Sequence, residues 1–249
     1  MAIWISHRGE SHDAPENTAS AFRLAMERDV DGMETDIHLT SDNVLVCSHD
    51  ANTQRCCGGV SMVIEQSTFE EVEKLDACNG KIAFQGEKIP TFAEALEILK
   101  PGKLFYVEIK ENDPRVIDAM MAEIDKSHCT RDQIIMISFH ADIVKLFKEK
   151  YPNQQALWLT SFKKNEDGTF IHDKEYYLKK LQDLKCDGVD AHCNAEFVDA
   201  EFVKMIHDAG MFYAAWTLDT VEICQHFLDI GIDSVTSNCA AKMRDAIEK

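Results

Sequence analysis

A chain of 249 residues is long enough to bury a sizeable core, and its formal net charge of -18 would be repelled by nucleic acid or by an anionic membrane surface. Neither is therefore expected as a stable partner. No apolar run approaches the roughly 18 residues a bilayer span needs, and no charged-then-apolar leader precedes the first strand, so a cytoplasmic location is expected. The nine cysteines are odd in number, scattered and without paired CxxC spacing, which favours reduced thiols over a zinc site.

In chain order, Ala2 to Ser6 reads as a short buried strand handing over to His7, Arg8 and Gly9. Asn17 or Thr18 then caps a helix running through Arg28, with Ala21, Phe22, Ala25 and Met26 on its apolar face. A second strand covers about Asp31 to Leu39, and Val44 to Cys47 extends it after a turn at Ser41, Asp42 and Asn43. From Ala51 to Lys88 periodicity weakens and glycines accumulate, so residues 51–88 are read as an insertion near the barrel mouth within one domain spanning residues 1–249. Order returns at Thr91 with Phe92, Ala95, Leu96 and Leu99 at helical spacing.

Strands follow at Leu104 to Lys110, Ile134 to Ser138, Ala156 to Leu159, Cys186 to Ala191, Met211 to Thr217 and Ile232 to Thr236. Amphipathic helices separate them, and a last helix spans about Ala240 to Ile247. Such alternation implies parallel strands with crossover helices. Eight strand-then-helix units in this length are the measure of an α/β fold of the (β/α)8 TIM-barrel type with a small insertion after the second strand; a doubly wound open sheet is the competitor. The barrel gains weight because His7, Glu34, Asp36, Glu108, Lys110 and Trp216 all fall at strand C-terminal ends, which form one mouth in that fold.

Strand side chains alternate with a period of two, so Glu34 and Asp36 share one face. Glu108 ends an apolar run and is the natural third carboxylate, with Lys110 on its side. Three carboxylates without clustered Cys or His describe an all-oxygen site for one divalent cation, Mg²⁺ or Ca²⁺ in preference to zinc. Arg8 is suited to bidentate oxyanion binding, and Gly9 is expected to let backbone approach a ligand. His49 precedes Asp50, an orienting partner for its ring; His12, His38 and His192 have less company and are assigned no role. Trp216 is either barrel packing at a strand end or a wall for the substrate.

Together, His7-Arg8-Gly9, Pro15-Glu16-Asn17-Thr18, Glu34-x-Asp36, Thr40-x-Asp42, His49-Asp50 with Arg55, Glu108-Ile109-Lys110 and Trp216-Thr217 resemble the signature of the glycerophosphodiester phosphodiesterase family across nearly the whole chain. The resemblance implies a (β/α)8 barrel with its insertion at the mouth and a divalent metal on Glu34, Asp36 and Glu108. It also implies an acid/base pair in His7 and His49, with phosphate-side contacts from Arg8 and Lys110. The sequence departs from the family at Asp219, where many relatives have Asn, and at Ser237-Asn238, where many have Asp after Thr. Both positions are expected to lie away from the metal and histidine clusters and to bear on substrate fit.

The implied reaction is hydrolysis of a small glycerophosphodiester to sn-glycerol-3-phosphate and an alcohol. His7 is assigned as base and His49 as acid, an order the sequence leaves open. The nucleophile is water or the substrate's own hydroxyl. Two other classes stay open: a lysophospholipase D-type enzyme, for which Val60, Met62, Val63 and Ile64 in the insertion are the only hint, and a non-catalytic binding protein. The oligomeric state is not legible.

Overall fold

A computed structural model describes residues 2–248 of the chain. Among them are nine strands: β1 (Ile3–Ser6), β2 (Gly32–Leu39), β3 (Leu45–Cys47), β4 (Leu104–Ile109), β5 (Ile134–Ser138), β6 (Ala156–Thr160), β7 (Gly188–His192), β8 (Phe212–Trp216) and β9 (Ser234–Ser237). All but β3 run parallel, and β1 pairs with both β2 and β9, so the sheet closes on itself. That closure excludes the open doubly wound sheet and gives the (β/α)8 barrel. β3 is an antiparallel hairpin partner of β2 outside the ring.

Helices α1 (Ala19–Glu27), α3 (Phe92–Ile98), α4 (Pro114–Lys126), α5 (Ala141–Lys150), α6 (Lys174–Leu184), α7 (Ala200–Asp208), α8 (Val221–Asp229) and α9 (Ala240–Ile247) follow the barrel strands in turn, and a short α2 (Phe69–Val72) lies in the insertion. The period of two divides each strand between two cores. Ile5, Tyr106, Ile135, Ile137, Leu157, Leu159 and Ala214 fill the barrel interior. The alternate residues, among them Trp4, Met33, Phe105 and Val107, pack outward against the helices. Phe105 meets Phe22 of α1 and Phe92 of α3 with ring centroids 6.1 and 5.9 Å away, and each such buried ring contributes about 1.5–3 kcal/mol.

One device recurs at the opposite end of the barrel from the mouth. Asp31, Asp187 and Asp233 each precede a strand and accept a hydrogen bond from a neighbouring strand's first N–H groups: Trp4 at 2.9 Å, Ala156 at 2.8 Å and Tyr213 at 2.8 Å. A backbone donor left without a partner in such a place costs about 1–3 kcal/mol. Gly188 is required by close approach, since a Cβ there would lie 2.1 Å from the Phe212 carbonyl oxygen.

The segment after β3 builds a small core of its own from Cys57, Ile64, Val72, Ala77 and Ile89 against Val46 of β3. Of these residues Ile64 and Val72 lie in short turns of helix, and Cys57, Ala77 and Ile89 lie outside helix and strand, which is why no sustained period marks the segment in the sequence. Lys81 ties it to the loop after β1 by donating to the carbonyls of Ser11, His12 and Ala14 at 2.7, 2.7 and 2.8 Å. Of its apolar residues, Ile64 is buried and Val60 is 50% exposed. Among the described residues, no helix is long and apolar enough to cross a membrane.

Candidate active site

The chain leaves β1 through His7, Arg8 and Gly9, with φ of 55° at Arg8 and 73° at Gly9. A Cβ at Gly9 would lie 2.5 Å from the Ala21 backbone, so close packing against α1 requires a glycine here. Thr18, not Asn17, caps α1 by accepting from the Ala21 N–H at 3.3 Å. Asn17 is thereby free to donate to Asp36 Oδ2 at 2.8 Å while its own Oδ1 accepts from the Thr35 hydroxyl at 2.8 Å.

Glu34 and Asp36 project from β2 to one side, and the register that sets Asp36 beside Glu108 of β4 brings the third acid to them. One carboxylate oxygen from each of the three lies within 4.8 Å of the others, and all three residues are buried. Asp36 Oδ1 is buried and receives no hydrogen bond. Two cations of the chain face the cluster: Arg8 Nε lies 3.3 Å from Asp36 Oδ2, and Lys110 Nζ lies 3.3 Å from Asp36 Oδ1 and 2.9 Å from Glu108 Oε1. The Arg8 N–H also donates to Glu34 Oε2 at 2.8 Å.

Burial and the neighbouring Asp36 charge raise Glu34 well above the usual range and push Glu108 up to about 8. Burial opposes ionisation of Asp36 as well, but the Lys110 and Arg8 charges overcome it and hold this carboxyl well below its ordinary value. A clustered, partly orphaned, oxygen-only donor set of this kind fits a hard divalent cation.

Both histidines reach the same place. His7 Nε2 lies 4.0 Å from Glu34 Oε2, and its Nδ1 meets Asn238 Oδ1 at 2.8 Å. Asn238 in turn donates to Asp219 Oδ2 at 2.6 Å. The expectation that Asp219 and Asn238 lie away from the histidine cluster is therefore wrong: pairing of β1 with β9 sets Ser6 beside Ser237, so the residues that follow them become neighbours. Burial, then the adjacent Arg8 charge, push His7 down to about 4. His49 is also lowered, chiefly by burial.

His49 Nδ1 lies 2.6 Å from Asp50 Oδ1, and Arg55 of the insertion donates to Asp50 Oδ2 at 2.7 Å. Burial works against the Asp50 charge, but the hydrogen bonds from Arg55 and His49 hold the carboxyl at about 2. Arg55 also grips Glu16 at 2.6 and 2.8 Å, and Glu16 accepts from Arg8 at 2.9 Å, so insertion, loop and barrel rim are braced as one unit. His38, assigned no role from sequence, is buried with Nδ1 2.5 Å from Glu111 Oε1 and Nε2 3.2 Å from the His49 carbonyl oxygen. Only its inward parity, two residues beyond Asp36, could have marked it.

The cavity beside the acids is walled by Trp216, Phe139, Ile137 and Leu159. Trp216 donates to the Asp190 carbonyl at 3.2 Å and meets Phe139 and His192 edge-to-face at 5.7 and 5.3 Å, so it both packs the barrel end and lines the cavity.

Asp190 is a further lining residue that sequence reasoning missed. It is 1% exposed, its Oδ1 has no hydrogen-bond partner, and burial alone pushes it up to about 8. A carboxyl raised above its ordinary 3.8 supports the fold fully below that pH, and the support is lost as pH rises through about 8. Asp190→Asn, which cannot ionise, is accordingly expected to gain in Tm on the parent between about pH 4 and about pH 9 in thermal unfolding. A difference independent of pH would contradict a carboxyl kept neutral by its surroundings.

Residues 7–242 match the model of the glycerophosphoryl diester phosphodiesterase family. The chain is 28% identical to the glycerophosphodiester phosphodiesterase of Caldanaerobacter subterraneus subsp. tengcongensis, with 98% of this chain and 97% of that protein aligned. It is 36% identical to YhdW of Bacillus subtilis over 94% of this chain and 93% of that one. Among solved structures, an Oleispira antarctica phosphodiesterase in complex with the product sn-glycerol-3-phosphate superposes with a TM-score of 0.86 at 26% identity, over 100% of this chain and 97% of the other.

Proposed function

The chain belongs to the glycerophosphoryl diester phosphodiesterase family, and from that premise we propose that it hydrolyses glycerophosphodiesters to sn-glycerol-3-phosphate and an alcohol, with a divalent cation on Glu34, Asp36 and Glu108 and with His7 and His49 as base and acid. The observation that carries this reading is the convergence of three buried carboxylates within 4.8 Å beside the His7 ring.

When bound, such a cation neutralises charge on a phosphoryl oxygen and lowers the proton affinity of a hydroxyl held next to it. The chain's own groups carry the rest. Arg8 and Lys110 bring fixed positive charge to the rim of a protein whose net charge of -18 would otherwise repel a phosphodiester. His7 takes the proton of the attacking hydroxyl at Nε2. His49, backed by the Asp50 carboxylate, delivers a proton to the departing alkoxide, which is a poor leaving group without one. Trp216 and Phe139 offer an apolar wall to the glycerol or to the alcohol.

Incubation with glycerophosphocholine and with lysophosphatidylcholine, with added Mg²⁺, Ca²⁺ or EDTA, tests the reading. sn-Glycerol-3-phosphate is expected from the first substrate, and EDTA is expected to stop its release. Turnover of lysophosphatidylcholine alone would replace this reading with the lysophospholipase D-type one. No turnover of either substrate with any metal would overturn it.

A further inference from the structure

Asp219 lies in the loop after β8 and receives three hydrogen bonds: from the Asn238 N–H at 2.8 Å, from the Ser237 hydroxyl at 2.9 Å and from the Asn238 side-chain amide at 2.6 Å. An ionised carboxylate can only accept, so the amide NH₂ of Asn238 must face Asp219 and its carbonyl oxygen must face the other way. A flipped amide would set oxygen against oxygen. The carbonyl so directed accepts from the Ser11 hydroxyl at 2.8 Å and stands 2.8 Å from His7 Nδ1. An amide oxygen has no proton to give, so the hydrogen of that contact belongs to Nδ1. The lone pair of the neutral ring is then on Nε2, the atom on the side of Glu34.

We infer that Asn238 and Asp219 are positioning residues that fix the tautomer of His7, keeping its hydrogen on Nδ1 and its Nε2 bare toward the carboxylate cluster, the form in which this ring can serve as base. The inference rests on the proposal that His7 and His49 are the acid/base pair. The two rings differ in what stands behind them. His49 Nδ1 meets the Asp50 carboxylate, which Arg55 braces. His7 Nδ1 meets the Asn238 amide oxygen, and the Asp219 carboxylate stands one residue further back, fixing that amide.

The test uses the full-length, Mg²⁺-loaded protein. Two-bond ¹H–¹⁵N spectra are compared for the parent, Asn238→Ala and the double variant Asp219→Asn/Asn238→Asp, with the His7 signals identified by their loss in His7→Ala. The parent is expected to show a protonated Nδ1 and a bare Nε2. In Asn238→Ala the tautomers are expected to mix and kcat to fall about 10- to 100-fold with KM little changed, the usual cost of losing an orienting partner. The double variant keeps an acceptor oxygen against Nδ1, so it is expected to keep the tautomer and recover most of kcat. Should Asn238→Ala not fold, the double variant decides alone.

A bare Nδ1 in the parent, or a lost tautomer in the double variant, overturns the inference. So does an unchanged kcat in Asn238→Ala while His7→Ala is inactive, and that pattern leaves His7 as base standing. Full turnover by His7→Ala would remove the acid/base proposal itself.

Discussion

Glu34→Gln is expected to lower kcat/KM for a glycerophosphodiester by at least about 10³-fold, because a bound cation contributes several kcal/mol to the transition state and each 1.36 kcal/mol is a factor of ten. The amide is nearly isosteric and its oxygen can still accept the Arg8 N–H that Glu34 Oε2 takes at 2.8 Å, so the loop at the end of β1 should keep its shape. What the change removes is one of three carboxyls forced together by the pairing of β2 with β4, and with it the repulsion that its ionised form meets from Asp36. Burial and that repulsion already hold Glu34 far above its ordinary value. The variant's Tm without metal is therefore expected to be no lower than the parent's, a stability-for-function exchange typical of such sites. Retained activity at saturating metal would contradict the site; a loss of activity accompanied by unfolding would trace to the fold instead, and the thermal melt separates the two.

For His49→Ala the expected loss in kcat is about 10²–10⁴-fold on a substrate with an alkyl leaving group, the range for a positioned general acid. The loss should depend on the alcohol. A nitrophenyl diester departs without help, so its turnover is expected to fall far less, whereas His7→Ala should impair both substrates alike. Equal losses on the two diesters in His49→Ala would contradict its role as acid. The brace behind it is explicit in the structure: Asp50 at 2.6 Å from Nδ1, Arg55 behind Asp50, and Glu16 behind Arg55.

Much of this was legible in the chain because local rules decided it. A period of two sets Glu34 with Asp36 on one face of their strand and Glu108 with Lys110 on one face of theirs, and in a parallel barrel strand ends converge whatever the register. The alternation of apolar runs with helical stripes carried the (β/α)8 fold in the same way. What was not legible depends on long-range pairing. Only closure of β1 on β9 puts Asn238 against His7, so two departures from the family pattern that were expected to bear on substrate fit turn out to back a candidate catalytic ring. Asp190 left a weak signal, an acid at inward parity between the apolar Val189 and Ala191, and read alone it resembles a solvated strand edge. The choice between Asn17 and Thr18 as cap was open by propensity and was settled by Asp36, which takes the Asn17 amide.

Everything about the chemistry depends on Glu34, Asp36 and Glu108 holding one cation. The most direct measurement is equilibrium dialysis of the parent and of Glu34→Gln against a divalent ion, with folding of each checked by its thermal melt. One ion per parent chain, and markedly weakened binding in the folded variant, is the expected result. A parent that binds no ion, or a variant that binds it as tightly as the parent, would contradict the carboxylate site.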